Sequence, residues 1–124
     1  MFQTLEALMH SVKTHPDFPR AGMLLCHNGV VRESSRNGRR VRGLRISVNH
    51  DRLSEILLRT RQMPGIVDIQ VSIQEEKDLC IGEDVMFLVV AGDIREHVIA
   101  ALSRALDAIK SEATQKTEFF EDSP

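Results

Sequence analysis

The sequence predicts an α+β fold built on a mainly antiparallel sheet, and three stretches predict it. Ile66 to Gln74 alternates strictly, Val67, Ile69, Val71 and Ile73 against Asp68, Gln70, Ser72 and Gln74, the period of a half-buried strand. Val85 to Ala91 (VMFLVVA) is a continuous apolar run suited to a strand covered on both faces. From Asp93 onward, Ile94, Val98, Leu102, Leu106 and Ile109 recur at spacings of three and four, which is one face of a helix.

The remaining elements follow in order. Thr4 to Lys13 reads as a short helix with Leu5, Leu8, Met9 and Val12 on one side, stopped by His15-Pro16. Gly22 to Arg32 reads as a strand interrupted at Gly29. Glu33 to Gly38 is a polar loop, and its Asn37-Gly38 pair predicts a hairpin into the next strand, Arg39 to Asn49. Val41 is out of phase with Leu44, Ile46 and Val48, which places a bulge near Gly43. Asp51 is the expected cap of a helix running to about Gln62, and Pro64-Gly65 ends it. Glu75 to Asp84 turns the chain into the Val85 strand, and Asp93 with Glu96 forms a capping-box pattern for the last helix. Two hairpins separated by helices imply helices packed on one face of the sheet. Residues 1–112 form the expected single domain, and 113–124 read as a polar tail.

Composition narrows the function classes. A chain of 124 residues with 42% apolar content suits one core, and a net charge of −2 argues against nucleic acid as the partner. The absence of Trp and Tyr removes the usual base-stacking platforms. No run is long enough to span a bilayer, and Met1 to Thr14 is amphipathic rather than a secretory leader, so a cytoplasmic protein is expected. Cys26 and Cys80 lie in apolar stretches and read as buried free thiols. The five histidines show no metal-ligand spacing, and no Gly-rich phosphate loop follows a strand, so neither a metal nor a cofactor is expected.

The chemistry left to the chain is cationic. Arg32, Arg36, Arg39, Arg40, Arg42 and Arg45 crowd one region. Guanidinium groups around one hairpin can hold a phosphate or a carboxylate, or simply solvate the loop. Lys110 closes the last helix and Lys116 follows it. A lysine at a helix C-terminus is favoured by the helix dipole, and a functional one needs a partly desolvated pocket as well.

These residues carry a resemblance. Gly22 to Arg32 resembles the strand G-A-x-x-x-F-x-G-x-V-R of the catalytic (large) subunit of molybdopterin synthase, with Gly22, Gly29, Val31 and Arg32 in register. Leu79-Cys80-Ile81-Gly82-Glu83 resembles that family's L-x-x-G-[DE] turn, and Ala108-Ile109-Lys110 the end of its long helix. Departures fall near the site: His27 stands for an aromatic residue, Ile94 for a histidine, Gln74-Glu75 for a His-Arg pair, and Lys116 one residue early for the second lysine. The resemblance implies an α/β-hammerhead homodimer within a heterotetramer. It also implies a small ubiquitin-like sulfur carrier ending in Gly-Gly, and a cyclic pyranopterin monophosphate that receives its sulfur. By position it implies Lys110 and Lys116 as catalytic residues and Arg32 and Arg95 as substrate-binding residues; Arg39 of the arginine hairpin is expected to join those two arginines around one substrate-binding pocket. Its alternatives are a divergent, non-catalytic relative that binds a pterin or a ubiquitin-like tail, or an anion- or nucleic-acid-binding module using the arginine hairpin.

Overall fold

Two three-stranded antiparallel sheets, not one, carry the strands in the computed structural model, which describes residues 1–121. The first has β1 (Met23–Val30) and β3 (Ile66–Ile73) on either side of β5 (Asp84–Gly92). The second has β4 (Leu79–Cys80) and β6 (Thr114–Phe120) on either side of β2 (Val41–Val48). Helices α1 (Leu5–Lys13), α2 (His50–Arg61) and α3 (Arg95–Ala108) complete the fold, with a short 3₁₀ turn at Phe18–Arg20.

The central position of β5 follows from its sequence. Its continuous apolar run is buried from Met86 to Gly92, because its two faces are covered by different helices. Leu88 and Val90 join β3, α2 and α3 in the main core, with Ile69, Ile56, Val98 and Ile109. Phe87, Val89 and Ala91 face the other way, onto Leu8 and Val12 of α1. Helices therefore flank both faces, where one face was expected.

The second expected hairpin forms: β3 and β5 pair antiparallel. The first does not. β1 ladders with β5 from Met23 opposite Gly92 to Val30 opposite Asp84, whereas β2 ladders with β4 and β6. The Asn37-Gly38 signal produces only a local turn, in which Gly38 (φ +85°) donates its N–H to the Ser35 carbonyl at 2.9 Å and Ser34 bridges Arg40. A two-residue turn fixes strand register only when strands flank it directly. Here Val31 stays bonded to Glu83 and Gly82, and the chain then crosses to the second sheet.

Other expectations shift by a residue or a face. The bulge on β2 is present, between Val41 and Gly43. A Cβ on Gly43 would collide with the Leu79 carbonyl oxygen, so glycine lets β4 approach. A second bulge lies between Ile66 and Asp68, and it turns Val67 onto α1 while Ile69, Val71 and Ile73 stay with the main core. Asn49, not Asp51, caps α2, accepting from the Arg52 N–H at 3.1 Å. Asp93 precedes α3 and accepts from the Ile94 N–H at 2.7 Å, while Glu96 pairs with Arg95 instead of turning back. Ile94 is exposed. Cys26 and Cys80 are free but exposed rather than buried, because alternation along β1 and β4 turns them away from buried neighbours such as Leu79.

The largest departure is at the C-terminus. Thr114–Phe120, expected to be tail, is β6, laddered along β2 from Val48 opposite Thr114 to Val41 opposite Phe120. Between α3 and β6, Ile109–Ala113 makes one π-helical turn, closed by the Thr114 N–H on the Ile109 carbonyl.

Candidate functional site

The π-helical turn puts Lys110 at the edge of the core, because Ile109 and Ala113 on either side of it are fully buried. Wide turns of this kind are frequent at functional sites. The chain then reverses into β6, where Thr114 and Lys116 share a face and Lys116 lies opposite Ile46 of β2. Lys110 and Lys116 thereby line one pocket of about 390 Å³ at the junction of the two sheets. Its apolar floor includes Leu44 and Ile46 of β2, Ile73 of β3 and Met86 of β5. β1 contributes His27, Gly29 and Val30, and the bulge between Gly29 and Val30 lets consecutive residues reach the same space.

The remaining cation is Arg36. It rides on the turn that Ser35 organises, with the Ser35 N–H on the Arg39 carbonyl at 2.8 Å and the Ser35 hydroxyl against Asn37. Among the described residues no carboxylate lines the pocket. Its nearest acidic neighbour on β6 is Glu118, 3.7 Å from the Lys116 ammonium. Arg36 and Lys110 have no ion-pair partner among the described residues. Burial pushes the His27 imidazole below its ordinary pKa, and the positive charge of Lys110 pushes it further down. Cationic groups around an apolar floor suit an anionic ligand with an apolar or extended body.

The expected arginines lie outside this lining. Arg32 is exposed, and its Nε donates to the Ser34 carbonyl at 2.7 Å. The Arg39 guanidinium stacks 3.7 Å over the Phe120 ring. Arg95 pairs with Glu96 at the N-terminal end of α3. The 14 residues of that helix put about 21 Å between Arg95 and the turn carrying Lys110. The three arginines thus do not surround one pocket within the chain.

Sequence reasoning missed two lining residues. His27 was legible only as a departure from an aromatic position, although its spacing of two from Gly29 puts both on one strand face. Arg36 sits in a polar loop with no periodicity, so nothing in the sequence separates it from its neighbours. A larger cavity of about 480 Å³ lies between the N-terminal residues, α2 and the end of β3. Its His50 and Glu75 satisfy each other at 2.8 Å, and its Lys77 reaches Glu83 at 4.0 Å.

The fold has known counterparts. It is similar to molybdopterin synthase from Staphylococcus aureus, at 20% identity over 98% of this chain and 87% of that one, with a TM-score of 0.75. Molybdopterin cofactor biosynthesis protein E from Burkholderia multivorans gives 20% identity, coverage of 99% and 88%, and a TM-score of 0.74. A complex of subunits 1 and 2 of molybdopterin-converting factor from Helicobacter pylori gives 16% identity, coverage of 98% and 82%, and a TM-score of 0.69. No curated protein matches the chain by sequence. The family model described as MoaE protein matches residues 2–112, from the residues before α1 into the turn that holds Lys110, and the chain therefore belongs to the MoaE family.

Proposed function

We propose that the protein acts in molybdenum cofactor biosynthesis as the catalytic subunit of a molybdopterin synthase, moving sulfur from a thiocarboxylated ubiquitin-like carrier to cyclic pyranopterin monophosphate. Membership of the MoaE family supports the pathway. The single observation that supports the reaction is the convergence of Lys110 and Lys116 on a pocket that no carboxylate lines among the described residues.

In this reading an extended Gly-Gly tail enters along the apolar floor. The two ammonium groups polarise the thiocarboxylate and stabilise negative charge as sulfur adds to the pterin. Arg36 holds an anionic group of the substrate within the pocket, and Arg32 and Arg39 flank the loop that presents it. The carrier is the small partner, and the H. pylori complex of two converting-factor subunits supports a two-subunit arrangement. A homodimer of this chain within that assembly belongs to the proposal, supported by the outer edges of β1 and β3, which pair with no strand among the described residues. Two free thiols support a reducing, cytoplasmic setting.

The test is reconstitution from purified protein, thiocarboxylated carrier and pyranopterin, with the dithiolene product measured. Product supports the synthase. Carrier binding without product would favour a non-catalytic relative instead.

A further inference from the structure

His27 lies on β1 and faces the pocket that Lys110 and Lys116 share. Its ring is half-buried, and Nε2 stands 3.5 Å from the point that a Cβ on Gly29 would occupy. Three of the other histidines are engaged: His15 accepts from the Asp17 N–H, His50 faces Glu75 and His97 faces Asp93. The His27 ring has no hydrogen-bond partner among the described residues, so its nitrogens are open to whatever fills the pocket. The charged groups around it are cations: Lys110 from the π-helical turn, Lys116 from β6 and Arg36 from the loop. Its cross-strand neighbour on β5 is Leu88, which does not titrate.

Resting on the sulfur-transfer reading, we infer that His27 is the general base that frees each transferred sulfur from the carrier. The need for such a base is chemical. A thiocarboxylate sulfur that bonds to a pterin carbon is still bonded to the carrier's acyl carbon, so the first product is a thioester. Water must then add to that acyl carbon. Its proton passes to the His27 ring nitrogen, a C–O bond forms, and the C–S bond breaks with its electron pair leaving on sulfur. The imidazolium returns the proton to the thiolate. Thioester and water become carboxylic acid and thiol, with no oxidant or reductant. Lys110 stabilises the oxyanion formed when water adds. Burial and the Lys110 charge keep the imidazole neutral at neutral pH, the form that accepts a proton.

The experiment compares the native chain with His27→Gln and His27→Phe, using thiocarboxylated carrier and cyclic pyranopterin monophosphate, with carrier–pterin species followed by mass spectrometry. Both variants should form the thioester adduct but release it roughly 100- to 10,000-fold more slowly. The acid limb of the native release rate against pH should vanish in them. In the native protein the His27 ring, followed by NMR, should titrate below 6.5. Matching unfolding midpoints exclude misfolding, and if His27→Phe fails to fold, His27→Gln and the native NMR titration still decide. Native release rates in a folded His27→Gln, or a His27 ring titrating above its ordinary value, would overturn the role of His27 while leaving sulfur transfer intact. A native protein giving neither adduct nor product would refute the sulfur-transfer reading and this role with it.

Discussion

Lys110 and Lys116 line the same pocket although one closes a helix and the other lies on a strand. The π-helical turn and the start of β6 bring them together. Lys116 is fixed in the ladder opposite Ile46, not carried on a mobile tail. Lys116→Ala should therefore lower the rate of product formation about as strongly as Lys110→Ala. Because both lysines are exposed, each change should alter stability by no more than about 0.5 kcal/mol. Rates and urea midpoints measured on the same preparations check both halves.

Ile69 has no exposed surface and sits in the main core between β5 and the two longer helices. Ile69→Ala removes buried methyl groups and leaves a cavity, at a cost of roughly 2–4 kcal/mol. Urea unfolding should show a lower midpoint with an unchanged slope.

Asp68, which strand alternation assigns to solvent, is buried by the bulge beside it and fully engaged. It accepts from Arg61 Nε at 3.0 Å, the Ile69 N–H at 2.8 Å and Gln70 Nε2 at 3.0 Å. Arg61→Ala leaves this carboxylate without its counter-charge. The partial exposure of Arg61 moderates the loss to about 1–3 kcal/mol. Asp68→Asn/Arg61→Ala should recover part of it in a thermal or urea melt.

Asp93 carries a pH dependence. Its hydrogen bond to His97 is the main cause that lowers its pKa, and the Ile94 N–H adds to it. A carboxylate lowered in the folded state contributes stability above its unfolded pKa and loses it as pH falls through the folded value. The native protein should therefore be more stable than Asp93→Asn at neutral pH. The gap should close below about pH 4. Melting temperatures of the two proteins across pH 2.5 to 7 would check this.

The fold was legible where side chains repeat, and the site only where a motif stood in for geometry. The apolar run of β5 and the helical face of α3 each announce themselves, since burial on a regular element imposes a period. The partner of β1 did not, because a loop of ten residues lets β1 and β2 choose different sheets. β6 was hidden for a related reason. Its pocket-lining positions, Thr114 and Lys116, are polar, so the strand shows no apolar period ahead of Phe119 and Phe120. Lys110 was found through its place at a helix end. Arg36 reaches the pocket through a turn whose conformation no periodicity encodes. Arg32 and Arg95 were named by position, and neither lines the pocket in this chain.

Dithiolene formation by the native protein and by Lys110→Ala, each mixed with thiocarboxylated carrier and pyranopterin, decides whether sulfur is transferred in the pocket of Lys110 and Lys116. The native protein should give product and Lys110→Ala a near-complete loss, with unfolding midpoints unchanged. Normal product from Lys110→Ala would contradict this, because the pocket would then not be where sulfur is transferred.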